Sequence, residues 1–176
     1  MVLHWIYSRP ECGREQHHGR IYHDQRRSSC PTSRHQAVEN GIAISRTTAY
    51  IVTGPSDTDS SNATGQMFAF SASFPCPSNP SGIRALWNAT YAAGSSPKPG
   101  GFARGSGTTP KLLGTKYLAI TDNADSQIRL LIYHQAPQSD PSKQLLCAVP
   151  VFEPEAGAVD IGTIGHSTEY GYSALS

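Results

Sequence analysis

The chain has 176 residues, enough for one ordinary domain, with a formal charge of +1 and only 15% charged side chains. That near-neutral balance excludes a strong electrostatic pull toward nucleic acid or anionic lipid, and no window approaches the roughly 20 apolar residues that cross a membrane as a helix. The 16 Gly and 13 Pro favour a turn-rich, all-β chain over a helical one.

Residues 1–37 read as an irregular, basic segment. Residues 1–36 hold six Arg, three acidic residues and five of the seven His, which leaves the rest slightly acidic. The opening MVLHWIYSRP is too short in its apolar part, with His4 inside it, for a signal peptide. Cys12, His17, His18, His23, Cys30 and His35 are of zinc-ligand type, but no Cys pair lies two to four apart and no His pair follows a ~12-residue loop. A Cys12–Cys30 disulfide is the alternative. A polar tail without a periodic apolar face is the plainer expectation. Arg26 and Arg27 are expected to be solvated.

Past this segment the pattern changes to short apolar runs. NGIAIS (40–45), TTAYIVTG (47–54), GQMFAFSAS (65–73) and GIRALWNATY (82–91) are four predicted strands. The third alternates Met67, Ala69 and Ser71 against Phe68, Phe70 and Ala72. After the loop AAGSSPKPGGFARGSG the cycle restarts with TTPKLLG (108–114), KYLAITD (116–122), QIRLLIYHQ (127–135) and QLLCAVPVFE (144–153). Ile42 and Thr109 stand at matching places about 67 residues apart. A third cycle opens with AVDIGTIGHSTEYGYS (158–173).

Four short strands, separated by turns and repeated, are the signature of β-propeller blades, each burying its apolar faces against its neighbours. A two-sheet sandwich of about eight strands is the alternative that periodicity leaves open. The expected fold is therefore all-β: a partial β-propeller over residues 38–176, two four-stranded blades plus the start of a third, behind an irregular N-terminal segment. Propellers typically close with four to eight blades. Two blades and part of a third leave apolar faces and strand edges open. The chain is accordingly expected to be a fragment, with missing blades or self-association covering those faces.

Three stretches, ENGIAISRTTAYIVTG with MFAFSA, KPGGFARGSGTTPKLLGTKYLAITDNAD, and LLIYHQAP with LLCAVPVFEPEAGAVDIG, resemble secreted β-propeller proteins of fungi and bacteria. These are the quinoprotein-like and SMP-30-like (gluconolactonase/strictosidine-synthase-like) propellers. The resemblance covers roughly residues 38–173 and is most specific at GSGTTP–LLG–YLAITDNAD. It implies a propeller and no settled activity. Two sequons, Asn62-Ala63-Thr64 and Asn88-Ala89-Thr90, together with few Lys, point to a glycosylated, extracellular parent protein. A lost or mispredicted N-terminus would reconcile that expectation with an opening that does not read as a signal peptide.

Several constellations bear on chemistry. The acidic knot Asp122-Asn123-Ala124-Asp125 supplies three oxygen-bearing side chains after a strand, residue types that suit calcium. It lacks the Gly and distal Glu of a helix-loop-helix calcium loop, and Asp and Asn are also the natural residues of a tight turn. GSGTTP (105–110) offers Gly-rich backbone and hydroxyls to an anion, but Pro110 leads into a strand and no Gly-Lys-Ser/Thr precedes a helix. Glu39 and Asn40, Thr108 and Thr109, and Asp160 fall at the start of successive inner strands and are expected to form a polar funnel for a ligand.

Enzymatic readings draw on the resemblance. It implies, for a lactonase-like hydrolase, a calcium held by Glu, Asn and Asp from different blades, for which Glu39, Asn40, Asp122 and Asn123 are the right types. A quinoprotein needs a Trp- and Arg-lined cofactor platform, which Trp5 and Trp87 alone do not supply. No Gly-x-Ser-x-Gly elbow is present, and His134 and His166 stand alone. QIRLLIYHQ resembles the Ile-Arg-aliphatic-Tyr-x-Gln strand of fungal fucose-binding propellers, with Arg129, Tyr133 and Gln135 to hold a sugar. Cys76 and Cys147 can pair in an exported protein or remain free thiols. The expected function is a secreted propeller acting as a binding module for a small molecule or saccharide; a lactonase-like or quinoprotein-like enzyme and a lectin are the alternatives.

Overall fold

A computed structural model describes residues 36–38, 40–55, 64–73, 75, 79–97, 104–155 and 162–175. The head segment with Cys12 and Cys30, and also Glu39, Asn62, Cys76 and Asp160, lie outside the described residues.

The described residues form eleven strands and no α-helix. They are β1 (Gln36–Ala37), β2 (Ala43–Ser45), β3 (Thr48–Pro55), β4 (Thr64–Ala72), β5 (Ile83–Ala92), β6 (Lys111–Leu113), β7 (Tyr117–Thr121), β8 (Arg129–His134), β9 (Leu145–Pro150), β10 (Ile164–Thr168) and β11 (Gly171–Leu175). Every pairing is antiparallel. In the first sheet β2, β3, β4 and β5 lie side by side, with β1 sharing the β2 edge of β3. The second sheet runs β6, β7, β8, β9, and β10 with β11 forms a separate hairpin. Each predicted quartet is thus a sheet of its own, and the two do not merge into one. The small addition is β1, at the end of the segment read as irregular.

The two sheets match in detail. Each short first strand ends in a tight turn whose opening residue takes left-handed backbone: Arg46 at φ 53° after β2 and Gly114 at φ 58° after β6. Each last strand carries a bulge. Ala69 pairs with Trp87 but Phe70 with Ala85, so Leu86 is the extra residue. Ile132 pairs with Cys147 but Tyr133 with Leu145, so Leu146 is the extra residue. A bulge at the same strand of both sheets bends and twists each outer edge alike.

Alternation puts one face of each sheet into a shared core. Tyr50, Val52, Met67, Ala69, Trp87 and Tyr91 from the first sheet meet Leu118, Ile120, Leu131 and Tyr133 from the second. Trp87 lies centrally, its ring 6.1 Å from Tyr50 and 6.0 Å from Tyr133. The opposite face of the second sheet has its own cluster, Leu113, Ala119 and Leu130, with Tyr117, Ile132 and Val151 against it. The β10–β11 hairpin lies beside β6 on this side: a Cβ added at Gly165 would come within 2.8 Å of Leu113 and Lys111 side-chain carbons. The far face of the first sheet carries a stacked Phe68–Phe70 pair with centroids 5.3 Å apart. Ile44 and Ile83 beside it are 67% and 55% exposed.

Candidate functional site

The acidic knot is a clamp between the sheets. Asp122, at the end of β7, is buried and accepts from the Arg129 backbone N–H and from Arg129 Nε, each at 2.7 Å. Its own N–H donates to Arg129 O at 2.9 Å, so one carboxylate closes the β7–β8 connection and meets the guanidinium charge. Asn123 turns the other way: its backbone N–H donates to Ala92 O and its Nδ2 to Ala93 O, both at 2.9 Å. Asp125 Oδ1 accepts from Ser95 N–H at 3.0 Å and Ser95 Oγ at 3.2 Å. Asn123 and Asp125 therefore tie the second sheet to the segment leaving β5. Gly94 sits in the tie at φ 78°, where a Cβ would fall 2.4 Å from Asn123 O. That conformation and that approach require glycine.

The Asp122 carboxylate thus faces Arg129, while Asn123 Nδ2 and Asp125 Oδ1 serve two other partners. Among the described residues, no group of three or more His, Cys, Asp or Glu is placed to hold a metal.

The Gly-rich loop is likewise engaged. Gly105 N–H donates to Ala93 O at 3.0 Å and Ser106 N–H to Tyr91 OH at 2.9 Å, so two amides that an anion would need are already donated. Tyr91 OH in turn donates to Thr53 O at 2.8 Å. Ser106 Oγ and Thr108 Oγ1 lie 2.9 Å apart, and Thr108 Oγ1 accepts from Thr121 N–H at 3.0 Å. Thr108 is fully buried and belongs to this internal hydroxyl chain.

The segments ahead of β2 and β6 come together. Asn40 Nδ2, ahead of β2, donates to Ser106 O at 2.5 Å, and Gly41 N–H donates to Thr109 Oγ1 at 3.0 Å. Asn40, Thr109 and, through Ser106, Thr108 thus form one seam, with Asn40 and Thr109 partly exposed. Thr163 holds the comparable place one residue before β10, and its buried Oγ1 has no hydrogen-bond partner among the described residues. Sequence reasoning did not single out Ser106 or Thr163. Their signal was position: a hydroxyl ahead of a short strand that opens a sheet or hairpin.

The sugar-strand residues are core residues. Tyr133 is fully buried and stacked on Trp87; burial drives its phenol pKa well up, with neighbouring Tyr91 and Asp122 adding to the effect. Gln135 Nε2 donates to Gly114 O at 3.0 Å and Tyr117 O at 2.7 Å, while the Gln135 backbone carbonyl accepts from Trp87 Nε1 at 3.0 Å and Tyr50 OH at 3.3 Å. Only Arg129, 42% exposed, reaches solvent. The ring that would stack on a sugar is inside the protein. His134 is half-buried with its ring 5.4 Å from Tyr117, His166 is exposed, and Cys147 is a free, exposed thiol.

No protein-family model matches this chain, and neither does any curated protein or solved structure compared with it. No helix among the described residues is long and apolar enough to cross a membrane.

Proposed function

We propose that the two quartets are consecutive blades of a secreted β-propeller that works as a binding module, taking a small polar ligand, a saccharide among them, where the inner strands begin. The observation that carries this reading is the seam: Asn40 and Gly41 ahead of β2 are bonded to Ser106 and Thr109 ahead of β6. The repeated turn and bulge support equivalent blades, and the Thr163 hydroxyl, without a partner among the described residues, leaves hydrogen-bonding capacity at the third inner strand. The resemblance to quinoprotein-like and SMP-30-like propellers points the same way. Further sheets of the same kind, from more chain or from other copies, cover the open faces.

The test is an amide chemical-shift titration of the folded chain with a panel of neutral monosaccharides and, separately, with calcium. The reading expects a saccharide to move Asn40, Gly41 and 106–109, and expects those shifts to vanish in Asn40→Ala. Saccharide shifts confined to Arg129 and β9 favour the lectin strand instead. Calcium shifts at Asp122, Asn123 and Asp125 favour the metal reading, and no response from a well-dispersed spectrum to either probe removes the binding role.

A further inference from the structure

We infer that Asn88 carries an N-linked oligosaccharide, an inference that rests on the secretory part of the reading above. The sequon Asn88-Ala89-Thr90 lies within β5, the edge strand of the first sheet. Successive residues of a strand alternate between faces. Trp87, Ala89 and Tyr91 therefore turn into the shared core while Asn88 and Thr90, both exposed, turn away from it. The acceptor amide and the hydroxyl that marks it stand on one open face, at the sheet's outer margin.

The amide is also free. Among the described asparagines, Asn40 donates through Nδ2 to Ser106 O, Asn79 to Ser73 Oγ and Asn123 to Ala93 O. Asn88 has no side-chain partner among the described residues. Glycosylating any of the other three would break a bond that holds a loop or joins the sheets; glycosylating Asn88 breaks none. The matching edge strand β9 is exposed along its whole length. The outer strand of the second sheet thus stands clear of the first, and the equivalent place on β5 is the room a glycan needs. A glycan on β5 would also screen the strand's unpaired edge from other strands.

The donor is a polyisoprenyl-diphosphate-linked oligosaccharide. Asn88 Nδ2 bonds to the anomeric carbon as that carbon's bond to the diphosphate oxygen breaks. The polyisoprenyl diphosphate leaves with the electron pair and the amide proton goes to a base of the transferase, so nothing is oxidised or reduced.

The experiment expresses the full chain in secreting eukaryotic cells behind an added cleavable export leader, in an Asn62→Gln background so that one sequon is read. Intact mass should show a glycan increment that amidase digestion removes, leaving aspartate at position 88. The increment should disappear in Asn88→Gln and Thr90→Ala and persist in Thr90→Ser. All four proteins, once deglycosylated, should melt within about 2 °C of one another, since both positions are exposed and such surface changes stay within about 0.5 kcal/mol. Exported, folded chain with unmodified Asn88 overturns the inference. Because the leader supplies export, that result would not bear on secretion, which is tested by whether the native protein collects outside its cell.

Discussion

Trp87 is held between two aromatic rings, with its N–H on Gln135 O. Trp87→Ala is expected to cost about 3–5 kcal/mol, read as a lowered denaturant midpoint. Tyr133 gives the opposite expectation. Its hydroxyl is buried without a partner among the described residues, so Tyr133→Phe removes an unsatisfied group and should be neutral or stabilising by about 1 kcal/mol. The pH dependence follows. Burial raises the pKa of Tyr133, and of Tyr50, above the unfolded value. The protonated phenols therefore favour the folded state below about pH 10, and that contribution is lost as pH rises beyond it. Unfolding free energy should fall above about pH 10, less steeply in Tyr133→Phe. At this scale the sequence was least legible. Asp122, Asn123 and Asp125 are the residue types of a cation site and also of a turn clamp. Only the positions of Arg129, Ala93 and Ser95 tell the two apart, and those partners lie 7 to 30 residues away.

The strands were the most legible elements. Met67 and Ala69 alternate against Phe68 and Phe70, and the predicted 65–73 differs by one residue at each end from β4, Thr64–Ala72. That regularity exists because both faces of β4 are buried, so each position answers to a packing requirement. The bulges at Leu86 and Leu146 were not legible, since an extra residue in an edge strand leaves the apolar pattern almost unchanged. Nor was the role of Gln135, which looked like a ligand group because it follows Tyr133 at a familiar spacing and instead bonds to β3, β5, β7 and the turn after β6. Gly94→Ala tests the tie between β5 and β7. Its left-handed backbone and the approach to Asn123 O predict a loss of more than about 1 kcal/mol. The loss should appear as faster amide exchange at Asn123 and Ser95, with the protection of β3 and β4 retained.

Across the whole molecule, the two sheets cover each other on one side only. Ile44 and Ile83 on the far face of the first sheet are exposed beside the Phe68–Phe70 pair, and further sheets in the proposed propeller would cover them. The isolated chain is accordingly expected to self-associate at micromolar concentration, and Ile44→Lys to lower its weight-average mass in sedimentation without lowering its strand content. A strictly monomeric wild type would count against an open sheet face. The stacking of the two quartets, on which the rest depends, is most directly tested by cross-strand NOEs. The account predicts contacts between Tyr50 and Ala69 in one sheet and between Ala119 and Ile132 in the other, with Trp87 ring protons reaching Tyr50 and Tyr133. Backbone contacts joining β5 to β6 or β9 in one continuous sheet, with Trp87 far from Tyr133, would contradict it.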